Sequence, residues 1–110
     1  MKKYLVVYYA SESFLKQMEN ASPEESKKGM ELWMAWAEKC GSGLLDLGAP
    51  LASGVKITKA GVSSSNKNVV GYSILQAEDM EKAKSMLKEH PHLYTDSCEI
   101  EVYEAMPLPG

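Results

Sequence analysis

From Tyr4 to Tyr9 every position is apolar or aromatic. In a strand Tyr4, Val6 and Tyr8 fall on one side and Leu5, Val7 and Tyr9 on the other. Neither side suits water, so this strand is expected in the middle of a sheet with both faces covered. Val69 to Ala77 alternates more openly, with Val70, Tyr72 and Ile74 set against Gly71, Ser73 and Leu75. Gly71 marks a close approach or a bulge. Cys98 to about Ala105 reads as a last strand, with Cys98, Ile100 and Val102 opposite Glu99, Glu101 and Tyr103. Leu44 to Leu47 reads as a short strand or an extended segment, and Val55 and Ile57 begin another extended piece. Gly61 to Asn68, rich in serine and asparagine, reads as an exposed loop or hairpin tip.

The period changes between these segments. Ser11 to Glu19 predicts a short helix with Phe14, Leu15 and Met18 in one apolar patch. Ser22 to about Lys39 or Cys40 predicts a longer one. Ser22 can cap it, Pro23 suits its first position, and Glu25 completes a capping box three residues on. Its stripe is expected to be Met30, Trp33, Met34 and Ala37, with Trp36 and Cys40 widening it, and Gly41 stops it. Asp79 caps a further helix running from Met80 to about Glu89. Its last turn holds His90, and Pro91 blocks continuation.

The order strand, helix, strand, strand, helix, strand places the chain in the α+β class. It predicts a ferredoxin-like sandwich, an antiparallel sheet with helices on one face, as a single domain over residues 1–110. A core this small leaves the second face of the first strand without a cover of its own, so a homodimer through the open sheet face is expected. Twelve cationic residues, all lysine, against fifteen acidic ones give a charge of −3. That balance argues against a nucleic-acid surface, which needs a cationic stripe. No window is long and apolar enough for a membrane span, and the first apolar run is too short for a signal peptide. A cytoplasmic chain with Cys40 and Cys98 as free thiols is the expectation.

Lys3-Tyr4-Leu5-Val6-Val7-Tyr8-Tyr9, Val70-Gly71-Tyr72-Ser73-Ile74, the acid-capped helix at Asp79-Met80-Glu81-Lys82-Ala83, His90-Pro91 and Glu99-Ile100-Glu101-Val102 together resemble YCII-related proteins. The resemblance spans nearly the whole chain. It implies a ferredoxin-like chain that pairs sheet against sheet into a dimeric α/β barrel. Some family members are proposed enzymes with a histidine on the first large helix and an aspartate in a nearby cleft. This chain has no histidine between Ser22 and Gly41, and Asp46 matches the aspartate in general position only. The Asp-Gly-Pro-Phe run of another branch is also missing, since residues 61–68 read Gly-Val-Ser-Ser-Ser-Asn-Lys-Asn.

Candidate chemistry rests on few residues. Asp46, flanked by leucines, is an acid or base if partly buried. Otherwise it faces water or caps the turn at Gly48. His90 can pair with Asp46, or simply sit at the negative end of its helix. His92 is expected in a solvated loop. Trp33, Trp36 and Tyr72 would wall a small-molecule cleft, Trp36 standing at the edge of the main stripe; Trp33, on the stripe itself, is otherwise core. Cys40 stands at a helix C-terminus, which disfavours a thiolate, and Cys98 is expected to be buried and inert. Dinucleotide, phosphate-loop, serine-elbow and zinc-ligand patterns are absent from the sequence, so no metal and no cofactor is assigned. The expected function is a homodimeric small-molecule-binding or enzyme-like protein with an acid/base cleft near Asp46. The alternative is a non-catalytic interaction domain whose aromatic residues fill the core and the dimer interface.

Overall fold

The computed structural model describes residues 1–109. Strand β1 (Lys2–Tyr9) leads through helix α1 (Glu12–Glu19) to helix α2 (Pro23–Cys40) and the short edge strand β2 (Leu44–Asp46). A hairpin of β3 (Val55–Thr58) and β4 (Gly61–Ser64) follows, then β5 (Val69–Ala77), α3 (Met80–Leu87) and β6 (Glu99–Ala105). Four strands form one antiparallel sheet in the order β2-β5-β1-β6, and β3 and β4 form a separate two-stranded sheet. The fold is therefore mixed α+β. Residues 61–64, expected as a loop or hairpin tip, are the second strand of that hairpin, because Ile57 pairs with Val62 and Thr58 with Gly61.

The caps follow the sequence. Ser22 accepts the N–H of Glu25 at 3.1 Å, and Asp79 accepts that of Lys82 at 2.9 Å, each satisfying a donor that the first helical turn leaves unpaired. The central strand β1 lies between β5 and β6. Tyr4, Val6 and Tyr8 face the helices and are fully buried with Leu75, Ala77, Ala83, Leu87 and Trp36. The predicted stripe of α2 is displaced. Trp36 is its only buried residue, and Trp33, Ala37 and Cys40 pack beside it, while Met30 and Met34 stand exposed. It is the C-terminal half of α2, from Trp33 to Cys40, that packs against the core.

The molecule measures 43 × 43 × 20 Å. A thickness of 20 Å accommodates one sheet and one layer of helices, each about 10 Å deep, and nothing on the sheet's other side. That open face carries Leu5, Val7, Tyr9, Tyr72, Ile74, Glu101 and Tyr103, whose register partners place them together. No helix among the described residues is long and apolar enough to cross a membrane.

Candidate functional site

The segment after α3 builds the most unusual environment in the chain. A residue preceding proline is pushed out of the helical region, and His90 accordingly turns extended, at φ −63° and ψ 133°, before Pro91. The helix has already ended at Leu87, whose carbonyl accepts the His90 N–H at 3.1 Å. His90 therefore lies beyond the helix rather than in its last turn, and the bend carries its imidazole inward. The ring is fully buried, at 4.4 Å from Trp33, 4.3 Å from Trp36 and 4.9 Å from Tyr8 between centroids.

The hydrogen bonds fix the tautomer. His90 Nδ1 accepts the backbone N–H of His92 at 2.9 Å, so the proton sits on Nε2, which has no hydrogen-bond partner. Burial, with His92 as a second charge nearby, pushes the His90 pKa down to about 3, and the ring is neutral at physiological pH. His92 is not in a solvated loop. It is buried in a short 3-10 turn (Pro91–Tyr94), where Nε2 donates to the Tyr9 carbonyl at 2.8 Å and burial also lowers its pKa. That bond ties the turn to the end of β1.

The tryptophans exchange their expected places. Trp36 is the deeply buried one, and its indole N–H donates to the Met86 carbonyl at 2.9 Å, satisfying an acceptor that the end of α3 would leave free. Trp33 is half-buried, edge-on to Tyr8 at 4.9 Å. Trp36 does wall a shallow groove of about 680 Å³ between α2 and α3, together with Leu32, Ala35, Lys39, Met86 and Tyr94. Tyr72, opposite Val7 in the register, belongs to the open face and is separated from both tryptophans by the sheet.

Asp46 is exposed, not half-buried among its leucines, and its Oδ1 accepts the Gly48 N–H at 2.8 Å. Gly48 is required here. Its φ is +85°, and a Cβ would stand 1.7 Å from the Tyr72 carbonyl oxygen. This close approach brings the Leu47 carbonyl to Ser73, which donates to it at 2.7 Å and accepts from the Tyr8 hydroxyl at 2.8 Å. Burial pushes the Tyr8 phenol up to about 12, so it remains a donor. Asp46 and His90 are not brought together. Tyr8, Ser73 and the backbone of Leu47 form a series of contacts leading from the His90 ring toward the β2 edge.

On the open face one carboxylate is held in place. Glu101 Oε1 accepts from the Tyr9 hydroxyl at 2.8 Å and from that of Tyr103. These bonds, with Lys67 nearby, hold its pKa below the usual carboxylate value. Sequence reasoning did not single out this cluster. The register that places Tyr9 opposite Glu99 and Tyr103 opposite Leu5 brings it together, and strand alternation alone does not give that register. Cys40 and Cys98 are free thiols, both shifted upward mainly by burial, which suits structural rather than reactive cysteines. No group of His, Cys, Asp and Glu among the described residues could hold a metal ion. Sequence comparison finds no matching family model and no matching curated protein.

Proposed function

We propose that the chain is a homodimeric small-molecule-binding domain of YCII-like, ferredoxin-like type, pairing sheet against sheet into a dimeric α/β barrel. The observation that carries this reading is the open sheet face, with Leu5, Val7, Tyr9, Tyr72, Ile74 and Tyr103 on a molecule only 20 Å thick. Leu5 and Tyr103 are 40% and 50% exposed, an apolar and aromatic surface that burial would stabilise. The sheet order β2-β5-β1-β6 supports the ferredoxin-like topology.

In this reading the ligand sits in the seam between two copies. Tyr9, Tyr72 and Tyr103 supply its walls, Glu101 is the oriented polar group, and Asp46 lies at the β2 edge. Aromatic walls with a few fixed polar groups are what a small-molecule site requires. His90 has a structural part: a neutral ring wedged between two tryptophans. Sedimentation velocity from 1 to about 100 µM tests the pairing. A dimer that Leu5→Lys converts to a folded monomer is expected, and a wild-type monomer throughout that range would overturn the reading.

The non-catalytic interaction domain is the second reading. It draws on the filled aromatic core, where Trp33, Trp36, His90 and Tyr8 pack ring against ring. Mass spectrometry of the purified dimer under native and denaturing conditions separates the two. A small molecule released on denaturation supports the first, and an empty dimer supports the second.

A further inference from the structure

Among the described residues the β3–β4 hairpin pairs with no other strand, and all of its strand residues are exposed. Val55 and Ile57 share one side by alternation, and the Ile57–Val62 pair adds Val62 to it. These three are 62%, 74% and 68% exposed. An isolated two-stranded hairpin is marginal in water, and one with an uncovered apolar side is more so. The radius of gyration, 15.4 Å against about 13 Å for a compact chain of this length, is in keeping with a projecting arm.

The charge distribution favours a second copy of the chain as its cover. Between Asp46 and Glu78 the chain carries Lys56, Lys59 and Lys67 and no acidic residue. From Glu89 onward it carries Glu89, Asp96, Glu99, Glu101 and Glu104 and no lysine. The ion pairs among the described residues are Lys2–Glu104, Lys39–Glu89 and Lys84–Glu81, so none of the arm's lysines and none of Asp96, Glu99 and Glu101 is engaged in one. Strand β6 is also an edge of the sheet, and Glu99 and Glu101 belong to its open face. One chain thus presents a basic apolar arm and an acidic aromatic surface. In a two-fold dimer each meets its counterpart twice, because an isologous interface repeats every contact.

We propose that the β3–β4 hairpin is an arm that each copy lays on the other. Its Val55–Ile57–Val62 side would cover the β6 end of the second copy's open sheet, with Lys59 at the hairpin turn facing Asp96 and Glu99. The proposal rests on the sheet-to-sheet dimer above and adds its register and its charge selectivity. Rim charges of opposite sign fix register and exclude wrong partners more than they add affinity.

The test uses the full chain and the dimer dissociation constant from sedimentation equilibrium. Ile57→Asp with Val62→Asp, both outside the core, is expected to weaken the dimer at least tenfold with the far-UV spectrum unchanged. Lys59→Glu, and separately Asp96→Lys with Glu99→Lys, are each expected to weaken it, whereas Lys56→Glu, on the hairpin's other side, is expected to leave it within about twofold of wild type. Combining the Lys59 reversal with that of Asp96 and Glu99 is expected to restore it. A wild-type dimer that all of these variants leave unchanged would overturn the arm and spare the sheet pairing. Failure of the combined reversal to restore affinity would overturn the assignment of β6 as the arm's seat. A wild-type monomer at about 100 µM would remove the pairing and the arm together.

Discussion

Replacing His90 with asparagine removes a buried imidazole while keeping a side-chain oxygen that can still accept the His92 N–H. The consequence of interest is the dependence of stability on pH. In the unfolded chain a histidine titrates near its ordinary value of about 6.5. In the fold burial pushes His90 down to about 3. Between those values the unfolded chain binds a proton that the folded chain refuses, so stability falls as pH falls. Full stability from this group is present above the unfolded value, and the loss accumulates through the window down to the folded one. From pH 7 to pH 5 it amounts to roughly 2 kcal/mol for this single residue. His92 acts in the same direction but remains in the variant, so the difference between the two proteins isolates His90. Urea unfolding followed by tryptophan fluorescence, at one protein concentration and several pH values, measures it. The wild type should lose about 2 kcal/mol more than His90→Asn on going from pH 7 to pH 5, although the variant starts lower because a ring is missing from the core. Parallel pH profiles would refute the reasoning. An imidazole C–H resonance of His90 that titrates near pH 6 in the folded wild type would refute it independently of the variant's stability.

Other outcomes follow from single contacts. Trp36→Phe keeps most of the packing but leaves the Met86 carbonyl without its donor, and thermal or urea unfolding should register a loss of about 1–3 kcal/mol. Ser73→Ala strands both the Tyr8 hydroxyl and the Leu47 carbonyl, and a double-mutant cycle with Tyr8→Phe should show a coupling of about 0.5–3 kcal/mol. Gly48→Ala forces a Cβ into the Tyr72 carbonyl and a non-glycine residue to positive φ, and its melting temperature should fall by an amount equivalent to at least about 2 kcal/mol. Asp46→Asn retains an acceptor for the Gly48 N–H on an exposed side chain, and its stability should stay within about 0.5 kcal/mol of wild type.

Much of the architecture is readable along the chain because local rules and the global fold agree. The helix N-caps, the proline and glycine stops and the alternation of β1, β5 and β6 each act over a few residues, so they appear in sequence as they appear in space. The hairpin was half legible. Its first strand shows Val55 and Ile57, but its second is masked by serines that pair well enough at a surface and carry little strand signal. The inward side of α2 is not legible in its sequence, because its apolar residues wrap more than one side. Only the crossing position on the sheet decides that Trp36 goes in and Met30 and Met34 stay out.

The sites divide along the same line. The turn-cap reading of Asp46 depends on a glycine two residues away, a local matter, and it is the geometry observed. The surroundings of His90 depend on three separate segments: β1 through Tyr8, α2 through both tryptophans, and the turn through His92. The Tyr9–Glu101–Tyr103 cluster depends on a strand register between residues ninety positions apart. Sequence by itself determined most of which stretches become helix or strand, where they stop and that one strand is apolar on both sides, because these are set by short-range sterics and hydrophobic period. Tertiary structure alone decided that both histidines lose their water and which carboxylate gains two phenols. Both results come from segments meeting across the chain, where desolvation and hydrogen bonding depend on neighbours that no local pattern specifies.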